Sequence, residues 1–261
     1  MQNQFILTPY FLDRYSPELA ELAGTPSSAA WTVNRPALPE GNMQQRMAAT
    51  LVPLADFVAK TAAQGLRPVS IAGDCCTAIG FLAGLQHAGL DPVLLWLDAH
   101  GDFNTWETTP SGFLGGMPLA MISGRGEQTL MESAGAQPLP DAQVVLCDGR
   151  DLDAGEALAL QASGVAHVTA LGEVLAPLQE RPVYVHFDTD IVDPADAPAM
   201  SYATSGGPSL EETRAVFRQL AQTCQIVGVS MSTWNPGLDV DGRTRTACMG
   251  LLNDLIGQEH R

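Results

Sequence analysis

The hydrophobic pattern changes character near residue 67. Beyond it, short continuous apolar runs alternate with segments whose apolar positions recur every three to four residues. The runs predict strands over Pro68–Ala72, Val93–Leu97, Gln143–Cys147, Pro182–Phe187 and Ile226–Ser230. The helical spacing predicts helices over Thr77–Gln86, Asp153–Gln161, Gly172–Leu178, Leu210–Gln222 and about Thr244–Ile256. Runs that are apolar throughout, rather than alternating, suit strands covered on both faces. The expected architecture is therefore α/β, a mainly parallel sheet between two layers of helix. Ahead of residue 67 the pattern predicts a strand near Phe5–Thr8, an irregular Pro-rich stretch over Thr25–Pro39 and a helix near Met43–Thr61. No linker, charge block or internal repeat interrupts the chain, so one domain over residues 1–261 is expected.

In open parallel sheets, ligands bind beyond the carboxyl ends of the strands. Every polar cluster of interest falls at such an end: Gly73–Cys76, Asp98–Asp102, Gly149–Glu156, His186–Asp193 and Ser232–Asp239. The run Trp96-Leu97-Asp98-Ala99-His100-Gly101-Asp102 places three metal-capable groups at alternate positions where an apolar strand gives out. The run His186-Phe187-Asp188-Thr189-Asp190 repeats the pattern. Extended backbone would point Asp188 and Asp190 the same way, and likewise Asp98, His100 and Asp102. If the two strands are neighbours, four carboxylates and one imidazole converge. So many like charges need compensation, and neither run contains Lys or Arg, so divalent metal is the natural partner. A lone D-x-D at a strand end is an ordinary turn or capping device; the pairing of two such runs favours the metal. Oxygen-rich ligation with one imidazole suits Mn(II), and bridging carboxylates suit a pair of ions, whose chemistry is hydrolysis.

Charge narrows the partners. The 261 residues hold 13 Lys and Arg against 29 Asp and Glu, a net charge of −16, which argues against nucleic acid and anionic membrane surfaces. The first ten residues lack a basic segment and a long apolar core, so no signal peptide is expected. No stretch reaches the roughly 20 apolar residues of a membrane span. Five scattered cysteines, an odd number, fit a reducing cytoplasm rather than a disulfide scaffold.

These motifs resemble the ureohydrolase family of arginase, agmatinase and formiminoglutamase. Its D-A-H-x-D motif is matched by Asp98-Ala99-His100-Gly101-Asp102, and its D-x-D-x-x-D-P motif by Asp188 through Pro194. The S-G-x-x-x-G-M-P segment is matched from Ser111 to Pro118. The R-D-x-D-x-G-E segment is matched from Arg150 to Glu156, and Asn235-Pro236-Gly237-Leu238-Asp239 with Gly242-Arg243-Thr244 looks like the C-terminal signature. The resemblance covers about residues 67 to 256. It implies an arginase-like α/β/α fold, two Mn(II) ions, and a trimer or hexamer. It implies that Asp98 and Asp188 bridge the ions, that His100 and Asp190 complete one, and that Asp102 serves the other while bonding the attacking hydroxide. Asp153 and Glu156 match positions that hold the substrate's α-amino end, which favours a small cationic or amino-acid-like substrate.

Three departures from the family pattern bear on chemistry. The first metal-binding histidine is Cys75, whose thiolate still ligates but tilts preference toward Zn, Fe or Co; the alternative is a buried small residue with one ion weakened or lost. A proton-shuttling histidine is replaced by Gly115, and Phe113 stands where an asparagine holds the amino-acid end. The E-x-N-P glutamate that pairs with guanidinium is Thr233, which removes a bidentate carboxylate. Glu107 is a candidate to supply that carboxylate from another wall, against the plainer reading of a solvated loop residue. The expected function is a binuclear-metal amidinohydrolase of a guanidino- or hydroxyguanidino-type small molecule. N-hydroxyarginine is the first candidate, because Cys75 and the G-D-F-N-T-x-E-T-T segment resemble hydroxyarginine hydrolases. The rival is a ureohydrolase-fold binding protein with impaired catalysis.

Overall fold

The computed structural model describes residues 1–25, 30–178 and 181–257, which fall into two compact units. The first unit takes in Met1–Asp91 and Asp102–Pro140, the second Pro92–Gly101 and the chain from Asp141 onward.

The first unit contains β1 (Asn3–Thr8), β2 (Tyr10–Phe11), β3 (Arg14–Tyr15), α1 (Pro17–Ala20), β4 (Thr32–Val33), α2 (Met43–Ala63), β5 (Arg67–Ala72), α3 (Thr77–His87), α4 (Pro118–Ile122) and α5 (Thr129–Ala134). Strand β1 pairs in parallel with β4 and with β5, placing Phe5 opposite Val69 and Leu7 opposite Ile71. All six residues of β5 are buried, as a strand covered on both faces requires. Helix α2 begins at a capping box: the Asn42 side chain accepts from Gln45 N at 2.9 Å, and the Gln45 side chain accepts from Asn42 N at 2.9 Å. It crosses α3 closely because Gly80 and Gly84 lie at the crossing. A Cβ at these two positions would sit 2.8 Å from the Leu51 carbonyl and 2.5 Å from the Ala55 carbonyl.

The second unit contains β6 (Val93–His100), β7 (Val144–Asp151), α6 (Ala154–Ala162), β8 (Ala166–Val168), β9 (Val183–Asp188), α7 (Leu210–Thr223), β10 (Ile226–Ser232) and α8 (Arg243–Ile256). Its strands run parallel in the order β10-β9-β6-β7-β8. The core is built on fully buried Trp96, Tyr184, Phe187 and Phe217, the last two meeting edge to face with centroids 5.0 Å apart. Strands β6 and β9 are direct neighbours, Leu97 opposite Phe187, which brings the two polar runs side by side.

Several expectations are altered. The helix expected over Gly172–Leu178 is a single 3-10 turn, Leu171–Glu173, followed by turns. Gly172 weakens a helix there and Pro177 would break its hydrogen bonding. Strand β6 runs on through Asp98 to His100 and β7 to Asp151, so the ligand candidates begin inside the strands rather than after them. The irregular Pro-rich stretch holds the two-residue β4, with residues 26–29 outside the described residues.

Candidate metal centre

In the second unit, Asp98 and Asp188 use the same local device at the ends of β6 and β9. Oδ1 of Asp98 accepts from the His100 N–H at 2.7 Å, and Oδ1 of Asp188 accepts from the Asp190 N–H at 2.9 Å. Each carboxylate thus accepts the N–H two residues on, a preference of this short side chain; β6 continues to His100, whereas β9 ends at Asp188. The expectation that strand alternation aims Asp188 and Asp190 together is corrected here. Asp188 ends the strand, and Asp190 lies in a 3-10 turn, Thr189–Ile191. That turn swings the Asp190 carboxylate across to β6, where Oδ1 accepts from Ala99 N at 3.1 Å and Oδ2 lies 3.0 Å from His100 Nδ1. Trp96 Nε1 donates to Oδ2 of Asp98 at 3.0 Å, fixing that carboxylate from below. Ligand atoms of Asp98, His100 and Asp190 lie within 4.8 Å of one another, and the Asp98, Asp188 and Asp190 side chains are buried.

The electrostatics of this cluster call for a cation. Burial, and then the neighbouring Asp190, push the Asp98 carboxyl well above the ordinary carboxylate range. Burial opposes charge on His100, but Asp190 and Asp98 outweigh it and raise the imidazole far above its ordinary value. Both shifts share one cause, carboxylates crowded together out of water, which a bound cation would relieve. Its donors, carboxylate oxygen with one imidazole, fit a hard or borderline divalent ion.

His186 plays the part of a core histidine beside this cluster. It is fully buried against Trp96, the rings tilted by 31° with centroids 3.8 Å apart, with Nδ1 2.8 Å from Ser230 Oγ, and burial pushes its pKa down to about 3.

Thr233 is half-buried with φ +68°, a conformation that a β-branched residue adopts only under constraint. Its hydroxyl donates to Asp188 Oδ1 and lies 3.2 Å from Thr189 Oγ1. Glu156 is buried at the start of α6, where Oε2 accepts from Asp153 N at 3.1 Å. A Cβ at Gly101 would sit 2.6 Å from Glu156 Oε1, so glycine next to His100 allows this approach. Asp153 and Glu156 are therefore at least helix-capping residues.

In the first unit, Gly73-Asp74-Cys75-Cys76 follows β5. A Cβ on Gly73 would lie 2.3 Å from the Tyr10 carbonyl, so only glycine lets the β2–β3 hairpin sit there. Asp74 ties it down, accepting from Leu12 N at 2.7 Å and Cys76 N at 2.9 Å, while burial lifts its pKa to about 6. Cys75 is buried. Cys76 is fully buried; burial first, then Asp74 and Asp102, raises its thiol well above the ordinary value, consistent with a packing role. Asp102 is buried with φ +47°, and its carbonyl accepts from Leu119 N at 2.9 Å and Ala120 N at 3.1 Å at the start of α4.

Phe113 and Gly115, which together form the second departure, are coupled in space. A Cβ at Gly115 would fall 2.4 Å from Cε1 and Cζ of Phe113, whose ring stacks on Phe11 with centroids 6.3 Å apart. The aromatic ring occupies the space that a side chain at position 115 would need. Glu107 is exposed, and its carboxylate accepts the Thr105 hydroxyl at 2.6 Å, which lowers its pKa and keeps it ionised. Sequence reasoning quoted Arg150 within a motif and gave it no role; its guanidinium contacts the Asp190 turn. A cation at a strand end in so acidic a chain was the available signal.

Comparison with known proteins agrees with this geometry. The model of the arginase family matches residues 26–257. An arginase of Bacillus caldovelox is 34% identical over 220 residues, 79% of this chain and 74% of that protein. An N(omega)-hydroxy-L-arginine amidinohydrolase of Streptomyces lavendulae is 34% identical over 176 residues, 66% of this chain and 62% of that protein. The solved native structure of the Bacillus caldovelox arginase superposes with a TM-score of 0.86 at 28% identity, covering 100% of this chain and 99% of that one. That likeness carries the arginase-type α/β fold. Among the described residues no helix is long and apolar enough to cross a membrane. The chain belongs to the arginase family, whose members are binuclear-metal hydrolases that cleave a C–N bond of guanidino-type small molecules.

Proposed function

We propose that this chain hydrolyses the C–N bond of an N-hydroxyguanidino amino acid, N-hydroxyarginine first, to release the parent amine and a hydroxyurea-type product. The observation that carries the reading is Thr233, whose hydroxyl donates to Asp188 at the position matching the family's guanidinium-pairing glutamate. A hydroxyl cannot form the bidentate ion pair that a protonated guanidinium favours, whereas a hydroxyguanidine is less basic and needs that pair less. The Streptomyces lavendulae enzyme, 34% identical, shows that the family includes this activity, while the equal identity to the Bacillus caldovelox arginase leaves the choice to the pocket residues.

The six ligands of the proposal are Cys75, Asp98, His100, Asp102, Asp188 and Asp190. Five keep the family's residue type, and Cys75 replaces histidine with a softer donor. When bound, a pair of divalent ions would supply a hydroxide nucleophile near neutral pH and stabilise charge developing in the tetrahedral transition state. Mn(II) is the proposed metal, with Zn, Fe or Co brought into range by Cys75. Asp102 would accept a hydrogen bond from that nucleophile and so orient it, and Glu107 offers an ionised carboxylate to the substrate. Phe113 closes the space where a proton-relaying side chain would stand, and Thr233, Asp153 and Glu156 face the substrate's polar groups. We place the protein in the cytoplasm as a trimer or hexamer, in keeping with its scattered cysteines and the family resemblance.

The test is a product assay with metal-loaded protein on arginine, agmatine, N-hydroxyarginine and formiminoglutamate. The proposal expects N-hydroxyarginine to be turned over with the highest kcat/KM. Preference for arginine would overturn the substrate assignment, and unchanged KM in Glu107→Gln would remove Glu107 from it.

A further inference from the structure

We propose that Arg150 is a positioning residue that sets the Asp190 carboxylate for cation binding, by locking the turn that carries it against the 204–207 segment. The inference rests on the metal reading above. The Thr189–Ile191 turn satisfies little of its own backbone: Thr189 O accepts from Val192 N at a long 3.4 Å. The next two carbonyls take Arg150, with Nη2 donating to Asp190 O at 2.8 Å and Nη1 to Ile191 O at 3.2 Å. Nη2 also donates to Thr204 O at 2.7 Å, and Nη1 donates to the Asp148 carboxylate. One planar guanidinium therefore clamps three main-chain carbonyls and one carboxylate, a geometry that the point charge of lysine cannot reproduce.

The surroundings are shaped for this clamp. Asp148 is a non-glycine residue at φ +80°, held in a left-handed conformation that places its carboxylate on Arg150. Burial raises the Asp148 pKa, and the charge and hydrogen bond of Arg150 work in the opposite direction. Gly207 lets the loop close in, since a Cβ there would lie 2.5 Å from Ile191 O and 2.7 Å from Arg150 Nη2. The same network touches the histidine. Asp151 Oδ2 accepts the Thr204 hydroxyl at 3.1 Å and lies 4.0 Å from His100 Nε2. Groups that hold ligands in place commonly contribute about 10–100-fold in metal affinity.

The experiment titrates Mn(II) into chelator-stripped protein by equilibrium dialysis, with far-UV circular dichroism to establish folding, for wild type, Arg150→Lys, Arg150→Met and Gly207→Ala. Arg150→Met is expected to bind its weaker Mn(II) equivalent about 10–100-fold less tightly, with Arg150→Lys in between. Gly207→Ala keeps the arginine but spreads the clamp, and the same loss is expected from it. It carries the test if Arg150→Met does not fold. Folded variants with lowered Tm and wild-type Mn(II) affinity would make Arg150 merely structural and overturn the inference. A wild type that takes up no Mn(II), Zn(II) or Co(II) would instead refute the metal reading itself.

Discussion

Lowering the pH is expected to expose the cost of keeping His186 neutral. The imidazole is fully buried on Trp96 and its folded-state pKa is about 3, against 6.5 when unfolded. Because the folded value is depressed, the unfolded chain binds the proton first. His186 therefore contributes its full stability above pH 6.5 and loses it progressively as pH falls toward 3. The fall from 6.5 to about 3 corresponds to about 5 kcal/mol at full protonation of the unfolded chain, comparable to the whole stability of many domains. The perturbation is His186→Gln, whose amide can still bond Ser230 but cannot titrate. Urea unfolding would be measured for both proteins at steps from pH 7.5 to 4. Carboxylates in the metal cluster titrate in both, so the informative quantity is the difference between them. Wild type is expected to lose about 1.4 kcal/mol more than the variant for each pH unit below 6. A difference that stays flat from pH 7 to 4.5 would refute the reasoning.

Other substitutions probe other parts of the account. Gly115→Ala drives a methyl into the Phe113 ring and is expected to cost about 1–3 kcal/mol in urea unfolding; unchanged stability would show that the ring has room to move. If Asp190 is a ligand, as proposed, Asp190→Asn removes its charge and is expected to weaken metal binding by more than the ~10–100-fold of an outer partner, with activity falling in parallel, as read by dialysis and product assay. Cys75→His restores an imidazole and is expected to raise the affinity for Mn(II) relative to Zn(II) in competition dialysis. A ratio that does not change would take Cys75 out of the ligand set.

Much of this molecule is legible in the chain because continuous apolar strands announce themselves. The runs at 93–97 and 226–230 lie inside observed strands, the run at 182–187 does so from its second residue, and D-A-H-x-D and D-x-D mark where two of those strands end. The details that place side chains were less accessible. Strand alternation predicted the wrong route for Asp190, because β9 ends at Asp188 and the chain passes directly into the 3-10 turn Thr189–Ile191. The segment after Leu171 has apolar spacing that mimics a helix, but Pro177 denies it the hydrogen bonds. That the Phe113 ring fills the space a side chain at position 115 would need is not legible in sequence, since only three-dimensional packing shows it. Arg150 escaped notice because its partners are main-chain carbonyls, which carry no residue-type signal.

The central claim is that buried carboxylates, His100 and Cys75 hold two divalent ions. The most direct measurement is metal content per chain by mass spectrometry, on protein purified without oxygen and offered manganese, iron, cobalt and zinc together. Two ions per chain are the predicted result, and a chain that retains one or none would contradict the account.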